Sequence, residues 1–151
     1  MSTQLTRRGF LVSLGLAGAA MSVGVRPAHA ADSSLEPNVY VRLEPSGALH
    51  ITCNRAEMGQ GVRSTLPMII GLEMGADLSR VEVVQAIGDE VYGNQNTDGS
   101  RSMRHWYEPM RRCGATARLM LEQAAAEHWK VAVTEVVADN NFVKHSASGK
   151  S

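Results

Sequence analysis

Two short glycine-rich stretches hold the side chains best suited to chemistry. In "EMGQG", residues 57–61, Gly59 and Gly61 flank Gln60, with Met58 and the acid Glu57 just before them. Glycine tolerates positive φ and lets main-chain N–H groups approach a ligand closely. Gln60 carries both a donor and an acceptor, the pair needed to read the edge of a heterocycle. In "TDGSRSMR", residues 97–104, the hydroxyls of Thr97, Ser100 and Ser102 and the forked guanidinium of Arg101 surround Gly99. Each stretch leads into a helical pattern, and a helix N-terminus offers unpaired N–H donors and partial positive charge to an anionic or carbonyl-rich ligand. A tight turn alone would also account for the two glycines of the first stretch. Ser100 or Ser102 would serve equally as a helix N-cap. Arg101, Arg104, Arg111 and Arg112 read more readily as a solvated basic face than as a phosphate site.

Other chemistries find no support. His50, His105, His128 and His145 are scattered, and none sits in an HExxH or a Cys-rich cluster. Cys53 falls in a strand pattern and Cys113 in a helix pattern without metal-type spacing, so two buried free thiols are the expectation, with a disulfide between them the alternative. No GxSxG, Walker or Rossmann pattern occurs. No catalytic residue and no metal ligand is therefore assigned.

The elements that must position the two stretches follow from periodicity. "VYVRLEPSGALHITCN", residues 39–54, shows two alternating, β-branched runs around Pro45, Ser46 and Gly47, a hairpin signal. Leu66, Ile69, Ile70, Glu73 and Met74 have helical spacing over 65–74, stopped by Gly75, with Pro67 tolerable in the first turn. Residues 81–87, "VEVVQAI", read as a partly or fully buried strand. Fifteen residues, 88–102, then form a loop long enough to be functional or disordered. From Met103 to Trp129 apolar side chains recur every three or four residues, predicting a long helix that starts near Pro109 or kinks there. A last hairpin turns at Asn140 and Asn141. The expected fold is α+β, a small mixed sheet of hairpins with two helices packed on it.

The amino terminus reads as an export leader, residues 1–30. Arg7 and Arg8 precede a modest apolar run, Leu11 to Val25, and "AHA" at 28–30 is a small-x-small cleavage site that puts the mature start near Ala31. The run is too short and too rich in Gly and Ala to cross a hydrocarbon core of roughly 30 Å, so no membrane span is expected after leader removal. Arg7-Arg8-Gly9-Phe10-Leu11 resembles a twin-arginine signal, which implies a periplasmic protein exported already folded. Residues 31–38 suit a flexible lead-in, leaving 39–151 for the folded part. Without the leader the chain has 12 basic and 15 acidic residues, a net charge of −3, which disfavours nucleic acid as a partner.

Taken in order, "AEMGQG" followed by "ST", "GDE" opening a loop that ends in "GSRS", and a helix carrying "EPMRRCGATARLMLEQAAAEHW" resemble the molybdopterin-binding large subunits of the molybdenum hydroxylases. That family includes xanthine dehydrogenase and aldehyde oxidoreductase, and the likeness is greatest to its isoquinoline 1-oxidoreductase beta subunit branch. The resemblance covers nearly all of residues 38–149. It implies a molybdenum ion held by the dithiolene of molybdopterin, commonly the cytosine dinucleotide, with no protein side chain ligating the metal. It implies oxidative hydroxylation of an aldehyde or N-heterocycle with water as the oxygen source. It also implies a small partner subunit with two [2Fe-2S] clusters, and a c-type cytochrome as a possible acceptor. Carried over by motif, Met58, Gly59, Gln60 and Gly61 become pterin contacts, and Thr97, Gly99, Ser100, Arg101 and Ser102 become cofactor-loop contacts. The family's catalytic glutamate motif does not occur here, and ordering the loop is the better role for Glu57. The chain is thus expected to be an amino-terminal, truncated part of such a domain, dependent on the remainder of the large subunit and inactive alone. The competing expectation is a small secreted, cofactor-free binding or interaction module of the same fold.

Overall fold

The computed structural model describes residues 34–151, so the leader assigned to residues 1–30 lies outside the described residues. The fold is α+β, built on a four-stranded sheet with strand order β1-β2-β3-β4. The strands are β1 (Leu35–Asn38), β2 (Val41–Leu43), β3 (Leu49–Cys53) and β4 (Val81–Gln85). Strands β2 and β3 form the expected hairpin, in the register Val41↔Ile51 and Leu43↔Leu49. Its turn closes through a Glu44 N–H bond to the Ala48 carbonyl at 2.9 Å. Alternation along β3 sends Leu49, Ile51 and Cys53 inward, the period-two pattern of a half-buried strand.

Helix α1 (Val62–Met74) connects β3 to β4, and these two strands pair in parallel from Leu49↔Val81 to Cys53↔Gln85. A parallel pair needs such a crossover. Helix α2 (Arg101–Trp129) packs across α1. Their shared core holds Val41, Leu49, Ile51, Leu66, Ile70 and Met110, each no more than 2% exposed. A smaller cluster of Ala125, Ala126 and Val136 joins the end of α2 to the hairpin β5 (Val136–Asp139) and β6 (Phe142–His145). That hairpin turns at Asn140 and Asn141, both at positive φ, as the sequence signalled.

Several boundaries differ from those expected. Residues 35–38, assigned to a flexible lead-in, form β1 and pair with β2, with Asn38 opposite Val41. Helix α1 begins three residues before Thr65, which puts Pro67 in its second turn, where it removes the bond to the Arg63 carbonyl. The buried apolar face of α1 holds the turn helical despite that loss. Strand β4 stops at Gln85, short of Ile87, and alternates intermediate with exposed rather than being fully buried. Helix α2 starts at Arg101 and continues through Pro109. Cys53 and Cys113 are free thiols, and burial pushes both above the ordinary thiol range. Among the described residues no helix is long and apolar enough to cross a membrane.

Candidate functional site

Because β3 and β4 run parallel, the segments that follow them leave the same edge of the sheet. Residues 54–61 run from β3 into α1, and residues 86–100 run from β4 into α2. The C-terminal edge of parallel strands is where open α/β sheets commonly receive ligands. Here it brings the two glycine-rich stretches together: the Thr97 hydroxyl donates to the Ala56 carbonyl at 2.9 Å, across 41 positions of chain.

The first stretch is organised by Glu57. Its carboxylate accepts from the backbone N–H groups of Gly59 at 2.7 Å, Gly61 at 3.0 Å and Arg63 at 2.9 Å. These bonds hold the carboxyl below the ordinary glutamate range, the Arg63 and Gly61 N–H groups contributing most. Gly61 is the N-cap of α1 at φ 84° and has no side chain to cap with, so Glu57 supplies the cap from outside. Gln60 folds back on its own loop: its Oε1 accepts from Met58 N–H at 2.6 Å, and its Nε2 donates to the Ala56 carbonyl at 2.9 Å. The amide read from sequence as a heterocycle reader is therefore engaged within the turn. Gly59 has φ 93°, and neither glycine has any neighbour within 4 Å of where a Cβ would be. Backbone conformation, not crowding, accounts for both. Met58 stands 70% exposed at the tip.

The second stretch presents a different N-terminus. Ser100, the N-cap of α2, lies in the left-handed region at φ 59°, and no side chain caps the helix. Its preceding residue, Gly99, also has positive φ. Arg101 pairs with Asp98, an ion pair that lowers the Asp98 carboxyl and raises the guanidinium. Ser102 is buried and accepts a hydrogen bond from Arg55 Nε at 3.1 Å. The basic start of α2 is largely matched by acids, since Arg111 pairs with Glu73 and Arg112 with Glu108.

Sequence reasoning missed the residues that hold these stretches in place. Arg55 is 1% exposed, and its Nη1 donates to the Asn94 carbonyl at 2.6 Å and to Asn94 Oδ1 at 2.9 Å. Burial lowers its pKa, which the Asp98 charge partly offsets. Alternation gave no signal for its burial, because β3 ends at Cys53 and both Asn54 and Arg55 beyond it are buried. Asn54 donates to the Tyr92 carbonyl at 3.2 Å, and the Tyr40 hydroxyl donates to the same oxygen at 3.1 Å. Burial, then Cys113 and Tyr92, pushes the Tyr40 hydroxyl up to about 12, so it remains a donor at neutral pH. Gly93 is required beside it, because at φ 68° its absent Cβ would meet the Trp106 ring at 3.0 Å.

Among the described residues no group of three or more His, Cys, Asp or Glu could hold a metal ion. His50 lies between Glu44 and Glu82, and the buried His145 bonds Ser148 and Glu135, so both serve their strands. The donor set at the sheet edge consists of backbone N–H groups, hydroxyls and guanidinium. It suits an anionic, hydrogen-bonding ligand rather than a bare cation.

Residues 3–151 match the molybdopterin cofactor-binding domain. The chain is 36% identical, over 99% of its length, to the isoquinoline 1-oxidoreductase subunit beta of Brevundimonas diminuta, and covers 21% of that protein. It is 34% identical, over 80% of its length, to a membrane-bound aldehyde dehydrogenase [pyrroloquinoline-quinone] of Gluconacetobacter polyoxogenes, covering 17% of it. The chain thus spans about a fifth of the length of the curated relatives it matches. In fold it resembles part of quinoline 2-oxidoreductase from Pseudomonas putida 86, with a TM-score of 0.61 over 72% of this chain and 14% of that one, at 24% identity. The two loops, the crossover that brings them to one edge and the extent of these matches lead to one conclusion: the chain belongs to the molybdopterin cofactor-binding domain family of the molybdenum oxidoreductases.

Proposed function

We propose that this chain is the amino-terminal portion of the large subunit of a molybdenum hydroxylase and contributes two loops to its pterin site. The observation that carries the reading is the meeting of the two glycine-rich stretches at one sheet edge, through Thr97 and Ala56. The N-terminus of α2 fits an anionic group: Ser100 leaves it without a side-chain cap, and Arg101, held by its ion pair with Asp98, stands beside it. The N-terminus of α1 is already occupied by Glu57, so the phosphate of the pterin belongs at Gly99, Ser100, Arg101 and Ser102. Met58, Gly59, Gln60 and Gly61 then form a preorganised wall whose backbone and Met58 side chain contact the pterin, while the Gln60 amide keeps the wall in shape. The bound group, molybdopterin as its cytosine dinucleotide with molybdenum, supplies the redox centre for hydroxylating an aldehyde or N-heterocycle with oxygen from water.

This assignment places the general base and the substrate pocket in the remainder of the large subunit. Electrons pass to a small subunit with two [2Fe-2S] clusters and on to a c-type cytochrome, and the twin-arginine leader directs the assembled protein to the periplasm. The test is metal and pterin content of the complete subunit. Wild type is expected to carry molybdenum and to release fluorescent oxidised pterin, and Arg101→Glu to lose most of both. Absence of molybdenum and pterin from the wild-type subunit would overturn the proposal.

A further inference from the structure

We infer that Arg55 is the positioning residue that locks the two glycine-rich stretches into one rigid unit. Three observations converge on it. Its guanidinium is buried and bonds on both sides of residues 97–101 at once, Asn94 through Nη1 and Ser102 through Nε. Its backbone lies two residues beyond the end of β3, and the Arg55 carbonyl accepts from Gln85 Nε2 of β4 at 3.2 Å, so the anchor is fixed to the sheet. The first stretch is ordered independently by Glu57 and Gln60, so the segment from Asn94 to Ser102 is tied down by the single Thr97 bond to the Ala56 carbonyl and by the three bonds of Arg55.

The remaining nitrogen, Nη2, is buried without a hydrogen-bond partner. The planar fork is what the geometry uses. Lysine offers a compact point charge on a flexible stem in place of the fixed fork whose Nε and Nη1 meet Ser102 and Asn94 from set directions. The second stretch is otherwise a long polar segment with the exposed residues 96 and 98–101, the kind that opens locally at little cost. Loop coupling is a property of the chain itself; that it serves cofactor retention rests on the function proposed above.

Hydrogen–deuterium exchange of the full chain, without added cofactor, tests the coupling. Arg55→Lys and Arg55→Met are both expected to speed exchange across residues 93–101 by roughly tenfold, the scale of one lost local constraint. Strands β3 and β4 and the Glu57-bonded amides should keep their protection. Ser102→Ala and Asn94→Ala, which leave Arg55 in place, should each give a smaller rise in the same segment and keep the measurement open if Arg55 variants fail to fold. Unchanged exchange over 93–101 in the partner variants, a uniform rise that includes β3 and β4, or full protection retained by Arg55→Lys would overturn the inference. In the complete subunit Arg55→Met should also lower retained pterin several-fold; a wild-type subunit without pterin would count against the proposed function and leave the exchange result standing.

Discussion

Glu57 shows how one side chain can decide what a loop is available for. A glycine N-cap leaves the first N–H groups of α1 without a local acceptor, and Glu57 reaches over the turn to accept from three of the surrounding amides. The carboxylate thereby takes the place an anionic ligand would have at that helix end, and the vacant donors are at α2. Hydrogen bonding to the charged form depresses its pKa below the ordinary glutamate value of 4.5. A depressed carboxyl contributes stability that is present above 4.5 and is lost as pH falls through the lowered value. The backbone amide shifts of Gly59, Gly61 and Arg63 should therefore titrate together, with a midpoint below 4.5, and the Glu57→Gln variant should abolish that titration. A midpoint at or above the ordinary value would show that the cap does not exist in solution. Exposure of Glu57 keeps its contribution local to the turn.

At the level of elements, the close crossing of α1 and α2 explains why the second stretch sits where it does. Gly114 lies at the crossing, and a Cβ there would stand 2.5 Å from the Ile70 carbonyl oxygen and 2.8 Å from Glu73 Cβ. Neither a backbone carbonyl nor a neighbouring Cβ can yield easily, so Gly114→Ala should destabilise the fold by about 1–3 kcal/mol, as overpacking does elsewhere. Urea or thermal unfolding of the two proteins measures it, and an Ala variant as stable as wild type would mean the helices are free to separate. Much of this architecture was legible in the sequence. Apolar spacing marked both helices, Gly75 marked the end of α1, and paired asparagines marked the last hairpin. The parallel pairing of β3 with β4 was not marked, because alternation encodes which face is buried and says nothing of strand direction. The early starts of α1 and α2 were less legible: Val62 does join the buried face of α1, but the turn before it is held by Glu57, and α2 begins from the left-handed cap Ser100. At the site, the glycines and hydroxyls were visible as types, whereas Gln60 is engaged by the fold of its own turn and Arg55 finds its partners only when both loops reach one edge.

Across the whole molecule the two hydrophobic clusters differ in what they support. The larger joins the sheet to both helices through Ile51, Leu66, Ile70 and Met110, all but inaccessible to solvent. The smaller rests on two alanines and Val136, with Trp129, Val131 and Val143 around it, and holds only the β5–β6 hairpin to the end of α2. A two-stranded hairpin has little stability of its own. Its other ties are few: the Asn141 N–H bonds the Gly75 carbonyl at 3.2 Å, Asn141 Oδ1 accepts from Asp77 at 2.7 Å, and Glu122 accepts from Ala138 at 2.8 Å. The hairpin should therefore open before the four-stranded sheet does, as a separate local unit. Val136→Ala should raise amide exchange in β5 and β6 while leaving β3 and the loop edge protected. Ile51→Ala, which empties a fully buried position in the larger cluster, should cost about 2–5 kcal/mol and lower protection throughout. If Val136→Ala instead loosened the loop edge as much as the hairpin, the two clusters would be one cooperative core, and the site could not hold its shape while the hairpin moves.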